Sequence, residues 1–267
     1  ISMVEFGIEK SGQEHWLNDM GFAVTRATGL GADVEVSKSN NVTGTGYVTD
    51  SVNQAQREID ITVKIENPTS KKREELYSLF PVGEIVKMLI YNGSRTLYTN
   101  ACVKRFEPDI FSNNQKVQIV LSAESPFFIS VDTKKSEIIT VTASSAVKAV
   151  VKNNGELCGF NLTAENTSSN AVINPYFRIG SKKLSFSITV PAGATVNLCT
   201  VNGKKSAQMT YTAGTSLTTV NVLPNRADGS EFPQLCARSV NSLYCGFESG
   251  TGSLEVRISY NETFNFV

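Results

Sequence analysis

Arg57-Glu58-Ile59-Asp60-Ile61-Thr62-Val63-Lys64-Ile65-Glu66 alternates with a period of two. In a strand, successive side chains point to opposite faces. Ile59, Ile61, Val63 and Ile65 therefore form one buried face. Glu58, Asp60, Thr62, Lys64 and Glu66 form the other, which is either wet or covered by a partner. The same period returns at Val117, Ile119 and Leu121, at Leu184, Phe186, Ile188 and Val190, and at Leu254, Val256, Ile258 and Tyr260. Ile85 to Tyr91 is nearly all apolar and reads as a central strand. Leu97 to Phe106 reads as the strand after it, joined through Asn92-Gly93, a strong hairpin turn signal. The chain is predicted to be mostly β.

One segment departs from this period. Asn67-Pro68-Thr69-Ser70 combines a capping residue with a proline suited to a first helical turn. Leu76, Leu79 and Phe80 follow at helical spacing, and Pro81 and Gly83 end the run. This predicts one short helix of about three turns, its apolar face on the first sheet. The basic run Lys71-Lys72-Arg73 is followed at once by Glu74-Glu75 and reads as a solvated helix face.

Composition shifts between Ser125 and Thr133. Charged residues are common before it. Ser, Thr, Asn and Ala dominate after it, with short strands split by Asn-Asn-Gly, Pro-Ala-Gly and Asn-Gly turns. That is the pattern of an antiparallel sandwich or jelly roll. A domain boundary is placed near residue 130, giving domains 1–130 and 131–267. Gly29 to Gln56 is polar, glycine-rich and long for a connection, which suggests an arm or a partner-binding loop.

The 267 residues are 40% hydrophobic and 19% charged, with a formal net charge of zero. This is a globular balance without the basic stripe that phosphate binding needs. No segment is apolar and long enough for a membrane-spanning helix. The first ten residues carry Glu5 and Glu9 and lack an apolar signal core, and Met3 is a candidate natural start. The five cysteines, Cys102, Cys158, Cys199, Cys236 and Cys245, are odd in number and lack C-x-x-C spacing. They are expected as reduced thiols rather than as a framework, with Cys236–Cys245 as the disulfide alternative. Sequons at Asn41, Asn92, Asn161, Asn166 and Asn261 read as chance products of an Asn/Ser/Thr-rich chain.

Catalytic motifs are missing. The single histidine, His15 beside Trp16, excludes a two-histidine metal site and leaves few options for a nucleophile–base pair. Gly29-Leu30-Gly31 and Gly44-Thr45-Gly46 do not join a strand to a helix, so neither reads as a phosphate loop. Glu74 and Glu75 point apart on a helix, which is wrong for acid–base work. No catalytic, cofactor or metal residue is assigned, and the chain is expected not to be an enzyme. A glycosidase, whose two carboxylates lie far apart in sequence, is the reading that local motifs would not reveal. The main alternative is a carbohydrate-binding β-sandwich. Tyr244 and Phe247, at an expected loop or strand end, are its candidate contacts to sugar or partner.

The order of features is similar to that of a known family. The strand beginning Gln56-Arg57-Glu58-Ile59-Asp60-Ile61 leads to the helix Lys71-Lys72-Arg73-Glu74-Glu75-Leu76-Tyr77, which ends at Phe80-Pro81. Leu89-Ile90-Tyr91 and Arg95 to Phe106 follow, and the set closes with Ser125-Pro126-Phe127. This resembles the N-terminal domain of the phage distal tail protein family. Asn174-Pro175-Tyr176-Phe177-Arg178-Ile179 and Ile188 to Ala194 resemble that family's C-terminal domain. An acidic triplet usual there is replaced by Leu198-Cys199-Thr200.

The resemblance implies a ring-forming N-terminal domain, β-sandwich or split-barrel-like with one short helix, and a C-terminal galectin-like β-sandwich. It implies a hexameric ring at a virion tail tip, assembled in the bacterial cytoplasm, with a channel that DNA crosses without specific binding. The implied partners are the tail tube protein, the tail-associated lysin or tail fibre, and receptor-binding proteins. Neither a cofactor nor membrane insertion is implied.

Overall fold

The computed structural model describes residues 4–40, 47–112, 114–142 and 146–267. Met3, Asn41 and the Gly44-Thr45-Gly46 pair lie outside the described residues. The chain divides into two compact units, one ending at Val131 but joined by Phe264–Val267, the other Asp132–Thr263.

The first unit contains β1 (Glu5–Lys10), β2 (Gln13–Trp16), β3 (Phe22–Thr28), β4 (Val34–Asn40), β5 (Tyr47–Gln54), β6 (Glu58–Ile65), the helix α1 (Ser70–Leu79), β7 (Ile85–Tyr91), β8 (Thr96–Pro108) and β9 (Lys116–Ala123), and the start of β10 (Phe128–Lys135). All the pairings are antiparallel. One series runs β2-β1-β7-β8, the other β3-β6-β9-β8. The shared strand, β8, pairs with β7 through Thr96–Cys102 and with β9 through Ala101–Pro108. Its register shifts between Val103 and Arg105. A bulge bends a strand and raises its twist, so one strand serves two sheets. Ile59, Ile61, Val63 and Ile65 on β6 are buried as the alternation predicts. They share a core with Met88 and Ile90 of β7 and with Ile119 and Leu121 of β9. Burying each such side chain contributes about 1.5–3 kcal/mol.

The β7–β8 turn forms at Asn92-Gly93. Asn92 Oδ1 accepts from the backbone N–H groups of Ser94 and Arg95, and Gly93 takes φ 87°. The helix also forms, but its cap is Thr69 rather than Asn67. Thr69 Oγ1 accepts from Lys72 N at 3.1 Å, while Asn67 is left-handed at φ 50°. Leu76, Leu79 and Phe80 are buried against the sheets. The basic run is not simply solvated. Lys72 Nζ donates to Met20 O at 2.9 Å and lies 5.1 Å from the Phe22 ring centre, and Arg73 donates to Gln115 Oε1 at 2.7 Å.

The second unit contains β11 (Ile139–Val141), β12 (Val147–Asn153), β13 (Asn161–Asn166), β14 (Val172–Ile179), β15 (Lys182–Ser185), β16 (Thr189–Val190), β17 (Thr195–Cys199), β18 (Ser206–Ala213), β19 (Ser216–Asn221), β20 (Ser239–Gly250) and β21 (Leu254–Phe264), whose last residue belongs to the first unit. One sheet runs β12-β20-β14-β15, with β16 also on β14. Facing it is the series β19-β18-β17-β13-β21, with β11 on β21. Phe177, Leu184, Leu243, Cys245 and Phe247 of the first sheet share a core with Leu162, Val196, Leu198, Val256 and Ile258 of the second. This is the arrangement of a β-sandwich.

The run Leu184 to Val190, expected as one strand, is split into β15 and β16. The cause lies in their partner β14, where Asn174 is left-handed at φ 53° and Pro175 has no N–H to give the ladder. β16 pairs before this kink and β15 after it. All five cysteines are free. The Asn166 sequon is buried. Its Nδ2 lies within 3.0 Å of the carbonyls of Asn170, Val190 and Pro191, and its Oδ1 accepts from Ser168, so the amide is a core hydrogen-bond hub.

Candidate functional site: a hairpin arm and its arginine anchor

The polar region Gly29 to Gln56 folds as a hairpin. β4 and β5 pair with each other from Val34↔Gln54 to Asn40↔Tyr47 and, among the described residues, with no other strand. Seven residues at about 3.4 Å each make an arm of roughly 24 Å. Residues 31–37 are all exposed, including Val34 at 47% and Val36 at 43%. An isolated two-stranded hairpin is marginal in water and presents open edges. Such an arm gains stability when its edges are covered.

The arm's base is held rigidly by Arg57, which is 7% exposed. Its guanidinium donates to four backbone carbonyls: Gly29 O at 2.6 Å, Gly31 O at 2.7 Å, Pro126 O at 2.8 Å and Asn265 O at 2.6 Å. The same group lies 4.3 Å from the Phe128 ring centre. The planar fork of five N–H donors suits several acceptors at once. No carboxylate is among these partners, and burial lowers the Arg57 pKa. Beside this anchor, Gln54 Nε2 donates to Asn265 Oδ1 at 2.8 Å, and Val267 N donates to Leu30 O at 3.2 Å.

Gly29 has a structural role here. It takes φ 78°, and a Cβ there would lie 1.9 Å from Glu58 O. Gly29 thus serves a close backbone crossing beside Arg57, whereas a Cβ at Gly31 would meet nothing within 4 Å and that residue contributes its carbonyl alone. The arginine-led strand and the Pro126-Phe127 closure, separate marks in the sequence, meet in this one cluster.

The outward face of β6 is engaged by its own neighbours. Lys104 Nζ reaches Glu58 Oε2 at 2.5 Å, and Gln118 donates to Asp60 at 2.7 Å. A second exposed apolar feature is the loop after β8, where Ile110 is 50% and Phe111 96% exposed. His15 is half-buried on β2. Among the described residues no group of three or more His, Cys, Asp or Glu is placed to hold a metal.

Tyr244 and Phe247 do not form a site together. Both lie within the twelve-residue β20 rather than in a loop. Being three residues apart, they point to opposite faces. Phe247 is fully buried in the core, so the expectation that it is exposed is corrected. Tyr244 faces outward, with the Arg178 guanidinium 4.6 Å from its ring centre.

No family model matches the chain, and no curated protein does. Solved structures do. The crystal structure of the SPP1 Dit (gp 19.1) protein, described as a paradigm of the hub adsorption apparatus in phages infecting Gram-positive bacteria, matches with a TM-score of 0.71. It is 15% identical, with 98% of this chain and 99% of that one covered. The phage P2 baseplate in its activated conformation matches with a TM-score of 0.57 at 7% identity in the calcium form and 0.54 at 8% in the strontium form. Each covers 99% of this chain and 100% of the other. The mostly-β fold expected from the sequence is thus similar, over nearly the whole chain, to that of these phage hub and baseplate structures.

Proposed function

We propose that this chain is a structural, non-enzymatic subunit of a phage or phage-derived tail tip. Six copies close into a ring hub that joins the tail tube to the host-adsorption apparatus. The observation that carries the reading is the full-length match of fold to the SPP1 hub protein, both units included. The arm supplies the physical means. A cyclic ring is built from heterologous contacts, in which one face of each protomer meets a different face of the next. A hairpin that pairs with no other strand among the described residues, anchored at its base by Arg57, is suited to clasp a neighbour. In this reading the first unit builds the ring around a channel for DNA. The second unit faces outward as the platform for tail fibre, lysin or receptor-binding proteins. The particle is assembled in the host cytoplasm.

Light scattering coupled to size-exclusion chromatography, over a concentration series and with the tail tube protein added, tests this. The expected mass is six times the 29.0 kDa of one chain. Deleting residues 34–54 is expected to leave a folded monomer. A monomer of the intact chain under every condition, including with the tube protein, would overturn the proposal.

A further inference from the structure

The outer face of the β12-β20-β14-β15 sheet carries a row of cations that cross-strand pairing rules disfavour. Lys148 pairs with Tyr244, Tyr244 with Arg178, and Arg178 with Lys183, so the four residues lie in register straight across four strands. Like charges directly opposite destabilise a sheet, and Arg178 and Lys183 are directly opposite. Among the described residues no carboxylate pairs with Lys148, Arg178 or Lys183. The salt bridge nearest in sequence belongs to Lys182, with Glu231 at 3.8 Å.

Tyrosine rings hold the cations instead. Arg178 lies 4.6 Å from the Tyr244 ring centre, and Lys183 Nζ lies 4.3 Å from that of Tyr176. Room for the Tyr176 ring comes from Gly246, where a Cβ would be 2.5 Å from ring atoms. Lysines on an edge strand discourage strand addition, which explains Lys148 on β12 and Lys183 on β15, the two ends of the sheet. It does not explain Arg178, which is on an inner strand.

We infer that this row is a binding track for an extended phosphodiester-linked polyol or sugar polymer. At about 4.8 Å per strand the row spans roughly 14 Å, a single file of positive charge on a chain whose formal net charge is zero. Its flanking outward positions are Gly246, Ser242 and Ser185, which are small, together with Tyr176 and the exposed Val150 on the edge strand β12. Protein partners are usually anchored by large side chains buried at the centre of the contact. Here the two rings already lie under cations, so what the centre of the row presents to a ligand is charge. The inference rests on the second unit's own residues and is independent of the tail-tip reading.

The test is binding of the full chain to purified poly(glycerol phosphate), with uncharged dextran, poly-glutamate and duplex DNA as comparison probes. Three cations releasing counterions predict a log–log salt slope of about −2, so affinity should fall roughly fifteenfold between 50 and 200 mM salt. Arg178→Gln with Lys183→Gln should weaken binding at least tenfold and flatten the slope to about −0.7. Lys204→Gln with Lys205→Gln, the same charge change in an exposed turn of the same unit, should leave binding unchanged. Circular dichroism melting should place both double variants at the wild-type midpoint. Binding that is absent at low salt, or weakened equally by the two double variants, would overturn the track. Equal or tighter retention of poly-glutamate or duplex DNA would overturn its assignment to a phosphodiester polymer.

Discussion

Replacing Arg57 by alanine removes the donor group that four carbonyls on three separate backbone segments share. Hydrogen bonds to a charged donor are worth about 1.5–3 kcal/mol each, so four set a ceiling of roughly 6–12 kcal/mol. Two effects lower that figure. Gly29 and Gly31 are exposed residues, and water can take over at their carbonyls. Removing a buried guanidinium also recovers its desolvation cost, which is several kcal/mol. The expected net loss is about 3–4 kcal/mol, in the upper range for a single substitution. For a unit of this size that lowers the melting midpoint by roughly 10–15 °C. Arg57→Lys keeps the charge but offers three donors from one atom, which cannot reach four carbonyls, and should recover less than half of the loss. Urea unfolding followed by circular dichroism measures the cost, and limited proteolysis within residues 31–56 reports release of the arm. The acceptors are neutral carbonyls, so the loss should be the same from pH 5 to 9. A cost below about 1 kcal/mol for R57A, or a wild-type midpoint for R57K, would refute the anchoring role.

Leu76→Ala empties a fully buried position under the helix and should cost about 2–5 kcal/mol in urea unfolding. Gly29→Ala combines a positive φ with a Cβ placed 1.9 Å from Glu58 O, so the variant should fail to give a cooperative melt for the first unit. Stability should fall on the alkaline side. Burial raises the Cys158 and Cys245 thiols from 9.0 to about 12, so above pH 9 the unfolded chain loses protons that the folded chain keeps. The unfolding free energy then drops by up to about 1.4 kcal/mol per pH unit for each thiol until pH 12, and Cys245→Ala should flatten that slope in calorimetry.

How far the sequence was legible depended on the kind of interaction. Ile59 to Ile65 announced its buried face because every second side chain was apolar. Asn92-Gly93 announced its turn because only a positive φ fits there. The arm was less legible because Ser, Asn, Thr, Asp, Glu and Lys outnumber its apolar residues and leave no sustained apolar period. Arg57's role was hidden for a different reason. Its partners are backbone carbonyls 26, 28, 69 and 208 residues away, and a carbonyl has no signature in the amino-acid code. Phe247 was readable in principle. Leu243, Cys245 and Phe247 alternate, but Gly246 between the last two interrupts the polar half of the pattern. The kink at Asn174-Pro175 was visible as residues, yet its effect fell on the partner strands downstream. The functional reading came less from any site than from the order of elements, which fold comparison then matched along the whole length.

The return of Phe264–Val267 to the first unit gives that unit a clock. Phe264 fills its core, and Asn265 supplies the fourth carbonyl of Arg57 and a partner for Gln54. Residue 264 leaves the ribosome 133 residues after Val131, which at 5–20 residues per second is a delay of roughly 7–27 s. Through that interval the arm's base lacks its last fastenings. A nascent chain therefore cannot complete the arm's base until the intervening sandwich has been made, and in the proposed ring assembly would wait until both units exist.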